Sequence, residues 1–365
     1  MSAPGQRALN RATLARQLLL ERAGVSPLDA VGRLAGLQAQ TPHTWYTGLW
    51  SRLADFDPRE VSGLLTGREV VRIALMRSTI HLVTAQDALD WRPLVQPVID
   101  RSTRGAFGKE WAGLDEAAVV ASARTIFDTE PLTFAEAGRR LAEQWPGRDP
   151  AALAQLARAG LALVQTPPRG VWGASGLARH TTVEAWLGEP VTTLPSMEKL
   201  IIRYLAAFGP ATVRDMQVWS GLTKLAEVVA GMRLADLGGG YYDLLDAPRP
   251  APDTPAPVRY LYDFDNVLRS HHDRSRVVSP EYAARRDELM KTNIEPGTIL
   301  VDGSVAALWT VRREKGRRGS ATLGIEPLRK LTGRERDEVE TEGASLLRFA
   351  APEAAGHEIR YQPAR

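Results

Sequence analysis

The feature that most constrains this chain is a local order met three times in its first 246 residues: two or three short amphipathic helices, then two short strands. The third copy is the plainest. Over 196–207 the apolar Leu200, Ile201, Tyr204 and Leu205 fall on one helical stripe, and Gly209-Pro210 stops the helix. Thr212 caps a second helix at 213–221, and Thr223 opens a third that ends near Arg233. Two strands come next, 234–237 and 241–245, joined through Gly238-Gly239-Gly240. The second copy places helices at 115–127, 133–144 and 150–159 and strands at 162–166 and 170–172. The first places helices at 10–22, 27–34 and 58–65 and strands at 70–75 and 79–83. Helices followed by a strand pair is the order of a winged helix-turn-helix, a unit that meets DNA or, in other settings, protein partners.

Beyond the copies lies a stretch with five prolines, 247–257, and after it the pattern becomes strand-rich. Strands are expected at 260–267, 298–301, 305–312 and 321–325, with a closing amphipathic helix at 332–349. The fold class is therefore α+β, mainly α. Tandem winged helix-turn-helix modules are expected at 1–105, 106–190 and 191–246, with a β-rich domain, up to a partial barrel, at 258–365.

Composition narrows the chemistry by exclusion. There are no cysteines, which removes disulfides, thiolate nucleophiles and Cys-ligated metal centres. The only apolar run near the N-terminus is Leu18–Leu20, broken by Glu21 and Arg22, too short for a leader or a membrane span, so a cytoplasmic protein is expected. Of 46 basic residues 40 are arginine, the side chain whose planar fork suits phosphates. A Lys-poor, Ala- and Arg-rich chain is also what a GC-rich genome encodes, so the ratio alone decides nothing.

Four segments could carry function. In Leu37-Gln38-Ala39-Gln40-Thr41-Pro42 the proline pushes Thr41 toward extended backbone, and an extended segment turns Gln38 and Gln40 to one side while Leu37 and Ala39 face the core. Two amides on one side can hold a water or a backbone group, and equally can be two surface glutamines. In Arg77-Ser78-Thr79-Ile80-His81-Leu82-Val83, alternation puts Arg77, Thr79 and His81 on one face and Ile80 and Leu82 on the other. The block from Tyr262 to Arg274 holds Asp263, Asp265, His271, His272 and Asp273, types that ligate divalent metals, but Arg269, Arg274 and Arg276 supply cations to pair with those acids instead, so no metal site is assigned. Finally, 309–322 reads as a hairpin with a basic tip. Between Leu300 and Lys330 seven basic residues (Arg312, Arg313, Lys315, Arg317, Arg318, Arg329, Lys330) face three acids, an excess suited to phosphates, or to a solubilising turn.

Taken in order along the chain, Gln38-Ala39-Gln40, the strand from Arg77 to Val83, the block from Phe264-Asp265-Asn266 to Asp273-Arg274, and Val301-Asp302-Gly303 with Trp309 resemble the winged-helix DNA glycosylases of the AlkZ and YcaQ type. The resemblance implies winged-helix units around a concave basic surface, completed by the β-rich domain. It implies hydrolysis of the N-glycosidic bond of N7-alkylated purines in double-stranded DNA. In the AlkZ branch it extends to unhooking interstrand crosslinks made by a DNA-alkylating natural product, a self-resistance function. It assigns catalysis to a Gln-hydrophobic-Gln element, here Gln38, Ala39 and Gln40; the YcaQ branch has an acid at the last position, so Gln40 favours the AlkZ side. Ala39 is small for the hydrophobic middle place.

On this reading DNA is contacted by Arg312, Arg313, Lys315, Arg317 and Arg318, with Arg77 and His81 as further candidates, and the enzyme is a monofunctional monomer needing no cofactor and no membrane. Two rivals are a winged-helix regulator without catalysis and a metal-dependent phosphodiesterase built on the acid and histidine block. An N7-alkylguanine already carries positive charge, so its base leaves without protonation. An amide pair, too weak a base to deprotonate water, need only steer it to C1′. The protein should therefore release 7-methylguanine from DNA and leave uracil in place, measured as free base by chromatography. Comparable release of both contradicts an amide pair.

Overall fold

The computed structural model describes residues 3–289, 296–314 and 319–362. Helix α1 (Gln6–Arg16), expected as the first helix of the first copy, lies ahead of the part that corresponds to the other two. That copy then runs α2 (Pro27–Arg33), β1 (Leu37–Gln38), α3 (Thr44–Trp50), α4 (Pro58–Thr66), β2 (Val70–Ala74) and β3 (Ile80–Thr84). Helices α5 (Ala85–Leu94) and α6 (Gln96–Phe107) lead to the second copy: α7 (Glu116–Thr129), α8 (Phe134–Gln144), α9 (Pro150–Gly160), β4 (Leu163–Gln165) and β5 (His180–Thr182). After α10 (Val183–Leu187) comes the third: α11 (Met197–Phe208), β6 (Ala211–Thr212), α12 (Val213–Ser220), α13 (Leu225–Ala230), β7 (Ala235–Asp236) and β8 (Tyr241–Asp243). Thr212 caps α12 as expected, whereas α13 begins at Leu225 behind Lys224 and lacks the cap expected of Thr223. Ser26, Asp57, Thr133, Asp149 and Thr212 each accept a backbone N–H at a helix start, and Thr133 with Glu136 and Thr212 with Asp215 form capping boxes.

Every copy has one pairing that its sequence pattern does not announce. The short stretch ahead of the second helix hydrogen-bonds to the last strand: β1 to β3, β6 to β8, and in the second copy a single bridge from Leu132 to His180. The first two copies then merge. Strand β2 pairs antiparallel with β4, Arg72 opposite Gln165 and Ile73 opposite Val164, giving one sheet of order β1-β3-β2-β4-β5. Each copy thereby covers the strand edge of the other. All five residues of β2 are buried, as a strand covered on both faces requires. One face joins Leu37, Val70 and Leu82 to the first copy's core, with Trp45, Tyr46 and Leu49; the other joins Val71, Ile73 and Val83 to α5, α6 and the third copy's Tyr204, Phe208 and Trp219.

The C-terminal region comprises β9 (Arg259–Leu261), α14 (Pro280–Leu289), β10 (Gly297–Val301), β11 (Ser304–Arg313), β12 (Ala321–Pro327), α15 (Gly333–Ala350) and β13 (His357–Tyr361). Its sheet has the order β13-β12-β11-β10-β9, with the first and last strands at opposite edges, so among the described residues it is an open sheet and not the partial barrel expected. Helix α15 covers one face, placing Val339, Leu346 and Leu347 on Tyr260, Ile299 and Leu323. No helix among the described residues is long and apolar enough to cross a membrane.

Departures from the sequence reading have local causes. The helix expected over 10–22 ends at Arg16, with Leu18 just beyond it in the left-handed region. Helix α3 was not expected because Thr-Trp-Tyr-Thr-Gly-Leu-Trp has weak helix propensity; burial of Trp45, Tyr46 and Leu49 decides it. The stretch 170–172 is a turn, and the strand comes eight residues later as β5. The strand expected over 260–267 stops at Leu261, since Phe264 is left-handed and Asp265 caps a 3-10 turn at Asn266–Leu268.

Two buried ion pairs fasten the N-terminal part to the third copy and to the C-terminal region. Arg16 donates to both oxygens of Asp243 at 2.7 and 2.9 Å, and Arg52 to both oxygens of Asp265 at 2.9 and 2.8 Å. Arg52 also donates to the carbonyls of Gln17 and Gly48, so its charge is well compensated. Removing one partner of such a pair strands the other. Asp265→Ala should lower the unfolding free energy by about 3–5 kcal/mol, read as a shift in urea midpoint.

Candidate active site

The segment from Gly36 to Pro42 is hydrogen-bonded along both edges. On one side Leu37 lies opposite Leu82 and Gln38 opposite His81, and the Ala39 N–H donates to Ile80 O at 2.7 Å. On the other side the carbonyls are met by side chains from elsewhere. Asn266 Nδ2 donates to Gly36 O at 3.2 Å, Tyr262 Oη to Gln38 O at 3.0 Å, and Arg72 Nη2 to Ala39 O at 2.8 Å. Thr41 Oγ1 donates to Asp263 Oδ2 at 2.6 Å. Gly36 has φ 79°, and a Cβ there would sit 2.6 Å from Val83 Cγ1, so only glycine lets the chain enter the strand this close to β3. Gly48 plays a matching part in α3, where a Cβ would meet the Tyr262 ring at 2.7 Å.

The two glutamine side chains share this segment but not their surroundings. Leu37 and Ala39 face the core as expected, yet Gln38 is also buried, 4% exposed, with Oε1 accepting from Arg77 Nη2 at 2.9 Å. Its Nε2 makes no hydrogen bond among the described residues. Gln40 is exposed, and its Oε1 accepts a longer bond, 3.3 Å, from the Ile80 N–H. Both partners are pure donors, which fixes the oxygen end of each amide. Each oxygen keeps a second lone pair.

Arg77 and His81, expected on one exposed strand face, are placed otherwise. The strand begins only at Ile80; Arg77 lies in a 3-10 turn, Met76–Ser78, with φ 56°. Its Nη1 donates to Trp219 O of the third copy at 2.6 Å. Burial and the neighbouring Arg269 and Arg274 push its guanidinium down to about 10, still charged at neutral pH. His81 is 0% exposed and offers no surface to DNA; Nδ1 lies 2.9 Å from Thr79 O, and Nε2 is buried without a partner among the described residues. Burial, then Arg77, depresses its pKa to about 3, so the ring is neutral.

Beside Gln40 a cavity of about 390 Å³ opens between the first two copies, lined by Ser78, Thr79, Arg92, Arg158, Gln165 and His180 among others, with no carboxylate in its wall among the described residues. Arg158 donates to Ser78 O at 3.0 Å, and Arg92 to the carbonyls of Ala159 and Leu161. Unlike Arg16 and Arg52, the arginines at 72, 77, 92 and 158 form no ion pair with a carboxylate among the described residues. A second cavity, about 540 Å³, brings Arg313 and Glu314 of the hairpin to His43 and Trp172. Arg312 and Arg313 are exposed near the end of β11; Lys315, Arg317 and Arg318 lie outside the described residues.

The acid and histidine block does not converge. Asp265 is paired with Arg52, a distant cation rather than one of its neighbours in sequence. His271 Nε2 meets Phe208 O, and the exposed Asp273 holds Ser275 and Gln6. No group of three metal-ligating side chains occurs among the described residues. Instead, Tyr262, Asp263 and Asn266 hold the Gln38 segment. Spacing within the block could not show this, because their partners lie more than two hundred residues away. The buried Arg72 was likewise missed: in an alternating strand an arginine reads as solvent-facing. Only the order of these elements along the chain, shared with a known family, carried a signal.

A family model described as "DNA glycosylase AlkZ-like" matches residues 31–349. Among solved structures, the Streptomyces sahachiroi DNA glycosylase AlkZ is similar with a TM-score of 0.75 at 22% identity, covering 99% of this chain and 100% of that one. A search of curated proteins by sequence finds no match.

His81 yields a pH prediction. Its folded value, about 3, lies below the ordinary 6.5, so the unfolded chain binds the proton first as pH falls. The stability it contributes is complete above about pH 6.5 and is lost on descending toward pH 3. Its ring resonances should not titrate between pH 5 and 8 by NMR, and His81→Asn should flatten the acid limb of the stability curve.

Proposed function

Since the chain belongs to the AlkZ-like DNA glycosylase family, we propose that it hydrolyses the N-glycosidic bond of N7-alkylated purines in double-stranded DNA, and that it unhooks interstrand crosslinks made by a DNA-alkylating natural product. In this proposal the three copies are winged-helix modules at 1–105, 106–190 and 191–246, and the protein acts as a monofunctional monomer. The hairpin residues Arg312, Arg313, Lys315, Arg317 and Arg318 hold the DNA backbone.

Gln38 and Gln40 are the catalytic pair. A water oriented by the free lone pairs of their carbonyls attacks C1′. The C1′–N9 bond breaks with its electron pair passing to the base, which leaves neutral, while the proton of the water passes to solvent. The observation that carries this reading is Gln40: it ends the Gln-Ala-Gln element, is exposed, and lines a cavity that holds Arg92 and Arg158 and, among the described residues, no acid. Such a cavity attracts a polyanion and offers no carboxylate to act as a base. Arg77 and His81 serve from within, since their polar groups face the protein.

One observation favours the rival reading, a DNA binder without catalysis: Gln38 is nearly closed to solvent. A base-release assay separates the two. With duplexes carrying 7-methylguanine or an interstrand crosslink, the glycosylase reading expects free base from wild type. It expects a loss of about a hundredfold or more in Gln38→Ala/Gln40→Ala, with duplex affinity held within about threefold. Binding without release by wild type leaves only the regulator.

A further inference from the structure

Arg77 stands where the copies meet, and its geometry has no use in the attack of water on C1′ itself. It occupies the left-handed region at φ 56° and ψ 19°, and Ser78 beside it has φ 60°. Two consecutive non-glycine residues in that region are costly and persist only where the surroundings enforce them. Here Arg158 of the second copy donates to Ser78 O at 3.0 Å and to Ser78 Oγ at 3.3 Å, and the 219 carbonyl of the third copy receives Arg77 Nη1 at 2.6 Å. Gly221, with φ 79°, lies close behind: a Cβ there would be 3.5 Å from Arg77 Cα. The strained turn aims Nη2 at a single target, Gln38 Oε1, 2.9 Å away.

A carboxamide is ambiguous by itself. Its last torsion is broad and roughly two-fold, so it can present oxygen or nitrogen to the same point. A guanidinium removes the ambiguity because it can only donate. It also draws electron density toward Oε1, which strengthens the Nε2–H donors at the other end of the amide.

We propose that Arg77 is the positioning residue for Gln38: clamped between the second and third copies, it sets which end of the Gln38 amide faces the reacting water. The assignment rests on the glycosylase reading. It differs from a DNA-contact role, because the guanidinium is turned toward protein oxygens, Trp219 O and Gln38 Oε1.

The test is a double-mutant cycle in single-turnover release of 7-methylguanine from a duplex, with Gln38→Ala, Arg77→Met and the two combined, and Arg77→Lys alongside. Arg77→Met should slow release by about tenfold or more, with Kd for lesion-free duplex within about twofold and its salt dependence unchanged. In the Gln38→Ala background the same change should cost nothing further, because the group it positions is gone. Arg77→Lys keeps a charge but cannot bridge both oxygens, and should fall between Met and wild type.

Additive losses in the cycle overturn the proposal. So does a rise in Kd with a salt slope reduced by about one, which marks a phosphate contact. If Arg77→Met does not fold, Arg77→Lys decides: release within about twofold of wild type refutes the clamp. Absence of release by wild type defeats the glycosylase reading and this assignment together, whereas wild-type release with an additive cycle defeats this assignment alone.

Discussion

The arrangement hangs on the ion pair between Arg52 and Asp265, both almost wholly buried and bonded twice to each other. A buried charge is tolerable only when its partner is held in place, so the pair fixes the turn after β9 against α3 at one registry. From that fixed point Tyr262, Asp263 and Asn266 reach back to the segment from Gly36 to Thr41. A two-residue strand such as β1 could not be ordered by its own two ladder pairs. It is ordered because its second edge is filled by side chains whose backbone is pinned.

The same economy recurs between the copies. Their strands are too few and too short to stand alone, and the seam between β2 and β4 turns two small sheets into one whose central strands are covered on both faces. The consequence for the site is convergence. Gln38 and Gln40 come from the first copy, Arg158 from the second, Trp219 from the third and Tyr262 from the C-terminal region.

Charge is treated in two ways. Away from the site, three buried arginines have carboxylates: Arg16 has Asp243, Arg52 has Asp265, and Arg11 has Asp302. Around the Gln38 segment the arginines at 72, 77, 92 and 158 lean on carbonyls and amides. Carbonyl dipoles solvate a guanidinium without neutralising it, so a positive potential survives beside Gln40. Burial lowers the affinity of Arg72 and Arg77 for their protons only to about 10, and the charge persists at neutral pH.

By itself the sequence determined the local structure. Caps such as Thr212 and stripes such as Leu200, Ile201, Tyr204 and Leu205 depend on neighbours three or four residues away, and a linear reading contains them. The inward turn of Leu37 and Ala39 and the hairpin around Arg312 and Arg313 were legible for the same reason. Tertiary structure alone decided that α3 is a helix, that Gln38 is closed in while Gln40 is open, that Arg77 faces inward, and that Asp265 answers Arg52. Each of these is settled by a partner far along the chain. Side-chain period says which way a residue points, but only packing says what it meets there.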